Sequence, residues 1–94
     1  MRELVLTPRF ERSFRHLVGK HPDLRGQIET TLLQMAANLD DRRLKTHRLS
    51  GHLAGLYACS VSYDCRIVFD KQTHSKAKAE ALILVDIGTH DEVY

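Results

Sequence analysis

Apolar positions change their spacing along the chain, and each change marks an element. Glu3-Leu4-Val5-Leu6 is a short run that predicts a strand. Thr7-Pro8 follows, a helix N-cap with proline at the first helical position, where its missing N–H costs nothing. Phe10, Phe14, Leu17 and Val18 then recur at helical spacing and form one apolar stripe, with Gly19 expected to end it. Pro22 predicts a second helix start, and Leu24, Ile28, Leu32, Met35 and Leu39 line one face of that helix. Gly26 weakens its first turn by about 1 kcal/mol relative to alanine. The short connection predicts an antiparallel helical hairpin.

Residues 40–52 are polar and basic and predict a connecting loop. Beyond Gly55 the pattern becomes β-like: Leu56 to Val61 and Arg66 to Phe69 are rich in β-formers, with a turn at Ser62-Tyr63-Asp64. Gln72 to Lys78 is a second polar break. Ala81 to Ile87 is nearly continuous in apolar residues, as in a central strand buried on both faces. Gly88-Thr89-His90-Asp91 leaves that strand, and Glu92-Val93-Tyr94 follows.

With no repeat, low-complexity tract or linker, residues 1–94 read as a single α+β domain. It is expected to hold an N-terminal strand, a two-helix antiparallel hairpin and a three-stranded antiparallel meander. The helices would pack on one face of a four-stranded sheet, with the first strand at an edge or paired centrally. The other face stays partly open, a natural place for a site.

Composition narrows the class. At 94 residues, 43% apolar and 28% charged, the chain supports one modest core. It has no apolar run of bilayer length and no signal pattern, so a cytoplasmic protein without a membrane partner is expected. A net charge of +2 does not by itself announce nucleic acid. Distribution says more: Arg42, Arg43, Lys45, His47 and Arg48 follow Asp40-Asp41 with no acid among them. That cluster suits either a phosphate backbone or a solvated loop. The two cysteines, Cys59 and Cys65, lack C-x-x-C spacing and read as small reduced core residues.

Three segments carry a family likeness. His47-Arg48-Leu49-Ser50-Gly51-His52-Leu53-Ala54-Gly55-Leu56-Tyr57 resembles the H-x-L-x-G-x-x-x-G loop-to-strand passage of the RelE/ParE toxin superfamily, in particular its YafQ-like branch. Tyr63-Asp64-Cys65-Arg66-Ile67-Val68-Phe69 is similar to the following strand, and Asp86-Ile87-Gly88-Thr89-His90-Asp91-Glu92-Val93-Tyr94 to the closing G-T-H block. The three lie in the family's order and, with the two helices, cover nearly the whole chain. The resemblance implies the toxin half of a type II toxin–antitoxin pair: an mRNA endoribonuclease, ribosome-associated, held by a cognate antitoxin in a hetero-oligomer. By position it implies His47, Asp64, His90 and Tyr94 as the cutting residues. One position departs: Ser60 stands where the YafQ-like pattern carries another histidine.

RNA cleavage without a metal needs a base for the 2′-OH proton, an acid for the departing 5′-oxygen and donors for the phosphorane charge. Histidine suits either proton role. His90, just past a buried strand, is the first choice for acid or base, and His47 is its partner or a phosphate donor. Asp64 is a base or an orienting carboxylate, and equally a turn-forming aspartate. Arg66 places a guanidinium on the phosphate, and Tyr94 stacks on a base or donates to the phosphate. Lys45, Arg48 and Arg43 are backbone contacts, Tyr57 and Tyr63 stack or pack, and His52 rides the loop or replaces the histidine missing at Ser60. His16, His21 and His74 receive no role. No H-E-x-x-H spacing supports zinc, so neither metal nor cofactor is expected.

Two other functions fit the same sequence. A ParE-like toxin binds DNA gyrase without cutting anything, and that branch generally lacks this residue set. A degenerate member survives as an antitoxin-binding module, a reading that Ser60 motivates.

Overall fold

A computed structural model describes residues 2–74 and 79–94. The elements run β1 (Glu3–Leu6), α1 (Pro8–Lys20), α2 (Leu24–Ala37), β2 (His47–Arg48), β3 (Tyr57–Ser62), β4 (Cys65–His74), β5 (Ala79–Thr89) and α3 (His90–Val93). Single 3₁₀ turns occupy Arg42–Leu44 and Gly51–Leu53. The chain is α+β, with one mixed sheet in the order β1-β5-β4-β3-β2.

That sheet has five strands where the sequence suggested four. The extra one is β2, just two residues long and polar, inside the segment expected to be a loop. Its ladder is set by backbone pairing, His47 opposite Ala58 and Arg48 opposite Tyr57, and a two-residue strand leaves no periodicity to read. β1 takes the edge position and pairs in parallel with β5, Glu3 opposite Ala81 through Leu6 opposite Leu84. β3, β4 and β5 pair antiparallel in succession.

β4 and β5 also run past their apolar stretches, because a backbone ladder needs no apolar side chains. Residues 72–74 of the expected polar break are thus strand, and residues 75–78 lie outside the described part. Between Val68 and Phe69 the register shifts: Val68 faces Asp86 and Phe69 faces Leu84, leaving Val85 unopposed. This bulge lets Leu82, Leu84 and Ile87 all reach one core despite their uneven spacing.

Thr7 caps α1 as expected, accepting from Phe10 N at 3.1 Å. Its hydroxyl also donates to Leu84 O at 2.7 Å, tying the helix start to β5. Gly19 does not end α1, which continues to Lys20, where His21 N donates to Leu17 O at 2.8 Å. α2 begins at Leu24 rather than Pro22, since Pro22 and Asp23 form a turn closed by Leu24 N on His21 O at 3.0 Å. Asp23 makes no side-chain cap.

Both helices feed one core. Phe10 and Leu17 of α1 and Ile28 and Met35 of α2 pack with Cys59, Ile67, Phe69, Leu82 and Leu84 of the strands. α1 rests on β5, and α2 on β3 and β1. Leu39, read as part of the α2 face, is buried beyond the helix end. Thr31 takes a buried place on α2 by donating its hydroxyl to Gln27 O at 2.8 Å.

Candidate active site

The final strand delivers its residues to one end of the sheet. α3 is a single turn, started by a capping box: Thr89 N donates to Glu92 Oε1 at 2.9 Å, and Glu92 N donates to Thr89 Oγ1 at 3.4 Å. Thr89-His90-Asp91-Glu92 carries the S/T-x-x-E signature of that motif, so a helix readable from the sequence was missed where only a departing loop was expected.

The turn sets His90 against Tyr94. Their rings meet edge-on, with 4.6 Å between centroids and 86° between planes. His90 is otherwise exposed, its Nδ1 3.7 Å from Asp91 Oδ1. The backbone amide of His90 donates to Asp64 Oδ1 at 3.4 Å, bridging the end of β5 to the β3–β4 turn. Asp64 therefore meets the main chain of His90 rather than its imidazole.

Arg66 completes this group from β4, where it is opposite Gly88 on β5 and Ser60 on β3. Its Nη1 donates to Ser62 O at 2.8 Å, Tyr63 O at 3.1 Å and Cys65 O at 3.2 Å. The guanidinium thus clamps the β3–β4 turn, and Nε and Nη2 make no hydrogen bond among the described residues. The Tyr94 hydroxyl is buried without a hydrogen-bond partner among the described residues. Burial raises its pKa, against the opposing pull of the Arg66 charge. What Tyr94 offers at the surface is its ring, not a donor for a phosphate.

His47 stands apart. It pairs with Ala58 on the far side of β3, two strands from Arg66 and two positions along the ladder, roughly 12 Å between Cα atoms at ordinary sheet spacing. Its Nδ1 lies 3.0 Å from Lys45 O. The sheet therefore brings together Asp64, Arg66, His90 and Tyr94, and does not bring His47 to them.

His47 belongs to a second group around Tyr57. A hollow of about 350 Å³ is lined by residues that include Arg42, Lys45, His47, Arg48, Tyr57 and Lys71. Arg48 lies over the Tyr57 ring at 5.9 Å and Lys71 at 4.3 Å, with Phe69 stacked behind at 5.7 Å. Lys71 was not singled out in the sequence, but it follows from register: Tyr57 is opposite Phe69, so Lys71 is its diagonal neighbour. Lys45 turns the chain there with a left-handed backbone, φ 49°.

Other expected contacts lie elsewhere or are occupied. Asp41 holds Arg43 by two side-chain bonds, at 3.1 and 2.8 Å, and this pairing with Arg43 lowers the Asp41 pKa to about 2. His52 is exposed on the Gly51–Leu53 turn, and Tyr63 is 97% exposed at the β3–β4 turn. Cys59 and Cys65 are free and buried, and burial pushes their thiols up to about 12 and about 11. Among the described residues no group of three or more His, Cys, Asp or Glu side chains is arranged to hold a metal, and no helix is long and apolar enough to cross a membrane.

No family model matches the chain, and no curated protein does. Solved structures do. YafQ from E. coli strain BL21(DE3) superimposes with a TM-score of 0.80 at 14% identity, covering 100% of this chain and 99% of that one. The E. coli DinJ–YafQ complex gives 0.78 at 16%, with 100% and 99% covered. A metal-bound toxin from Helicobacter pylori gives 0.78 at 23%, with 100% of each chain covered. At these identities what is shared is architecture. The chain has the fold of the RelE/YafQ-like toxins.

Proposed function

We propose that this chain is the toxin of a type II toxin–antitoxin pair and cuts mRNA by metal-independent general acid–base catalysis. The observation that carries this reading is the grouping of His90, Tyr94, Asp64 and Arg66 at the end of β5, with the imidazole exposed and packed on an aromatic ring. In the reaction, a base removes the 2′-OH proton and the 2′-oxygen attacks the phosphorus. The bond to the 5′-oxygen breaks as an acid protonates it. His90 is the acid or the base, and Asp64 is the other candidate at that end of the sheet. The free nitrogens of Arg66 face the charge gathered on the phosphorane. Tyr94 fixes the imidazole and offers a ring face to a base.

The Tyr57 group serves as a track for the flanking RNA. Lys45, Arg48 and Lys71 meet phosphates, Tyr57 stacks, and His47 acts there as a phosphate donor rather than as the partner of His90. A cognate antitoxin holds the toxin in a hetero-oligomer, as the DinJ–YafQ complexes do for YafQ. The site of action is the translating ribosome in the cytoplasm.

Induced expression in bacteria with primer extension on an abundant mRNA tests the reading, wild type beside His90→Ala. Discrete new 5′ ends with wild type and none with the variant are expected. A toxic His90→Ala variant overturns the role of His90. Growth arrest with intact mRNA and blocked supercoiling replaces the enzyme with a gyrase-binding toxin.

One observation favours a second reading. Ser60 faces Arg66 where the family pattern has a histidine, and His47 lies beyond β3. A degenerate chain that only binds its antitoxin would leave both growth and RNA untouched.

A further inference from the structure

We infer that Glu92 is a positioning residue, fixing the relative placement of His90 and Tyr94 through its reciprocal capping box with Thr89. The catalytic half of this rests on the ribonuclease reading, whereas the structural half stands without it.

A one-turn helix does not hold itself, because its first turn fixes several dihedral angles for one hydrogen bond. α3 has four residues. The two side-chain bonds of the capping box therefore do for α3 what length does for α1. They matter chemically because His90 and Tyr94 are four residues apart, at the spacing where helical side chains meet. The turn is closed by Tyr94 N donating to His90 O at 3.2 Å, and in the closed turn the two rings are in contact.

Gly88 is the second, independent constraint. A Cβ there would meet Glu92 Cβ at 3.1 Å, Glu92 Oε1 at 3.2 Å and Val93 Cγ1 at 3.4 Å. The stem of Glu92 thus lies directly on the bare backbone of β5, and Val93 is buried beside it. Glu92 is held at its stem by a strand and at its carboxylate by the cap. Its ionised form is favoured first by the Thr89 amide and further by Lys20 and His16 on α1. Glu92 is itself exposed, so removing it has little reason to unfold the domain.

The test compares full-length wild type with Glu92→Gln, Glu92→Ala and Thr89→Val. The readouts are the His90 imidazole resonances, which sense the Tyr94 ring, kcat and KM on an RNA oligonucleotide, and the melting temperature. Glutamine serves in a capping box, so Glu92→Gln keeps the His90 resonances and cleaves close to wild type. Glu92→Ala and Thr89→Val move those resonances toward free imidazole and lower kcat about 10- to 100-fold with KM nearly unchanged. Unmoved resonances and kcat in Glu92→Ala overturn the proposal. So does a Glu92→Gln variant as impaired as Glu92→Ala, which would make the carboxylate charge itself the active feature. Should wild type cut no RNA, the ribonuclease reading fails while the resonances still decide the positioning.

Discussion

The imidazole of His90 and the ring of Tyr94 meet edge-on, 4.6 Å between centroids, while the Tyr94 hydroxyl is buried with no hydrogen-bond partner among the described residues. The ring and the hydroxyl therefore have separable effects. Tyr94→Phe should keep cleavage and hold or raise stability, since an unsatisfied buried polar group costs about 1–3 kcal/mol. Tyr94→Ala should lower kcat. Single-turnover cleavage beside thermal melts of both variants checks this, and a Tyr94→Phe protein without activity would return the hydroxyl to the chemistry.

Gly88→Ala should damage function more than fold. The added methyl presses on the Glu92 stem and Val93, so α3 must shift while the ladder of β5 stays paired. A fall of about tenfold or more in cleavage, with a loss of only about 1 kcal/mol in stability, is expected. Unchanged cleavage would show that α3 tolerates the displacement.

Thr7→Ala should be costly for a half-exposed residue. The hydroxyl both accepts from Phe10 N and donates to Leu84 O, so its loss uncaps α1 and leaves Leu84 O with the longer bond from Thr7 N at 3.3 Å. Urea denaturation should report about 1–2 kcal/mol lost, the upper range for a cap. A value near zero would mean that the contact to Leu84 is replaced by solvent.

The thiols make stability fall at alkaline pH. Their folded pKa values lie above the ordinary 9.0, at about 12 for Cys59 and about 11 for Cys65. Between those limits the unfolded chain has lost protons that the folded one retains. Stability is thus fully present below pH 9 and declines as pH rises through about 9 to 12. Melting curves across that window should show the decline, and Cys59→Ala should reduce its slope. In the native protein both thiols should resist a disulfide reagent at pH 8 and react once denatured. Fast native labelling would contradict their burial.

Tyr57→Ala and Lys71→Ala separate stacking from charge. Lys71→Ala should weaken RNA binding and reduce the slope of log affinity against log salt by about 0.7, the value for one phosphate on a single strand. Tyr57→Ala should lose about 1–3 kcal/mol of affinity with the slope nearly intact. Equal affinity for all three proteins would remove RNA from this hollow.

Sequence patterning reaches the elements that bury a periodic stripe. Thr7-Pro8 and the Phe10, Phe14, Leu17 repeat locate α1, and the apolar run from Ala81 locates the middle of β5. It does not reach β2, which is two polar residues, or the outer arms of β4 and β5, where the backbone ladder continues past the apolar stretch. Nor does it reveal that β1 runs parallel to β5, because register between segments so far apart leaves no local trace. For the site, the family likeness named His47, Asp64, His90 and Tyr94 together; the sheet sets His47 apart from the other three, because spacing along the chain could not show β3 lying between them. The capping box is legible in the Thr89-x-x-Glu92 spacing. The buried hydroxyl of Tyr94 was not legible, since burial of a single atom belongs to packing.

The parallel pairing of β1 with β5 also bears on the order in which the domain can assemble. Glu3 finds its partner only when Ala81 has been made, and the centre on which both helices rest arrives with Leu82 and Leu84. Helices and the β3–β4 ladder can form early during synthesis, but the inner edge of β1 waits for nearly the whole domain. The strand that closes the core is also the strand that carries His90 outward. A nascent chain still short of β5 therefore has neither a finished core nor the turn that sets His90 against Tyr94, so the centre of the domain and its candidate site are completed together.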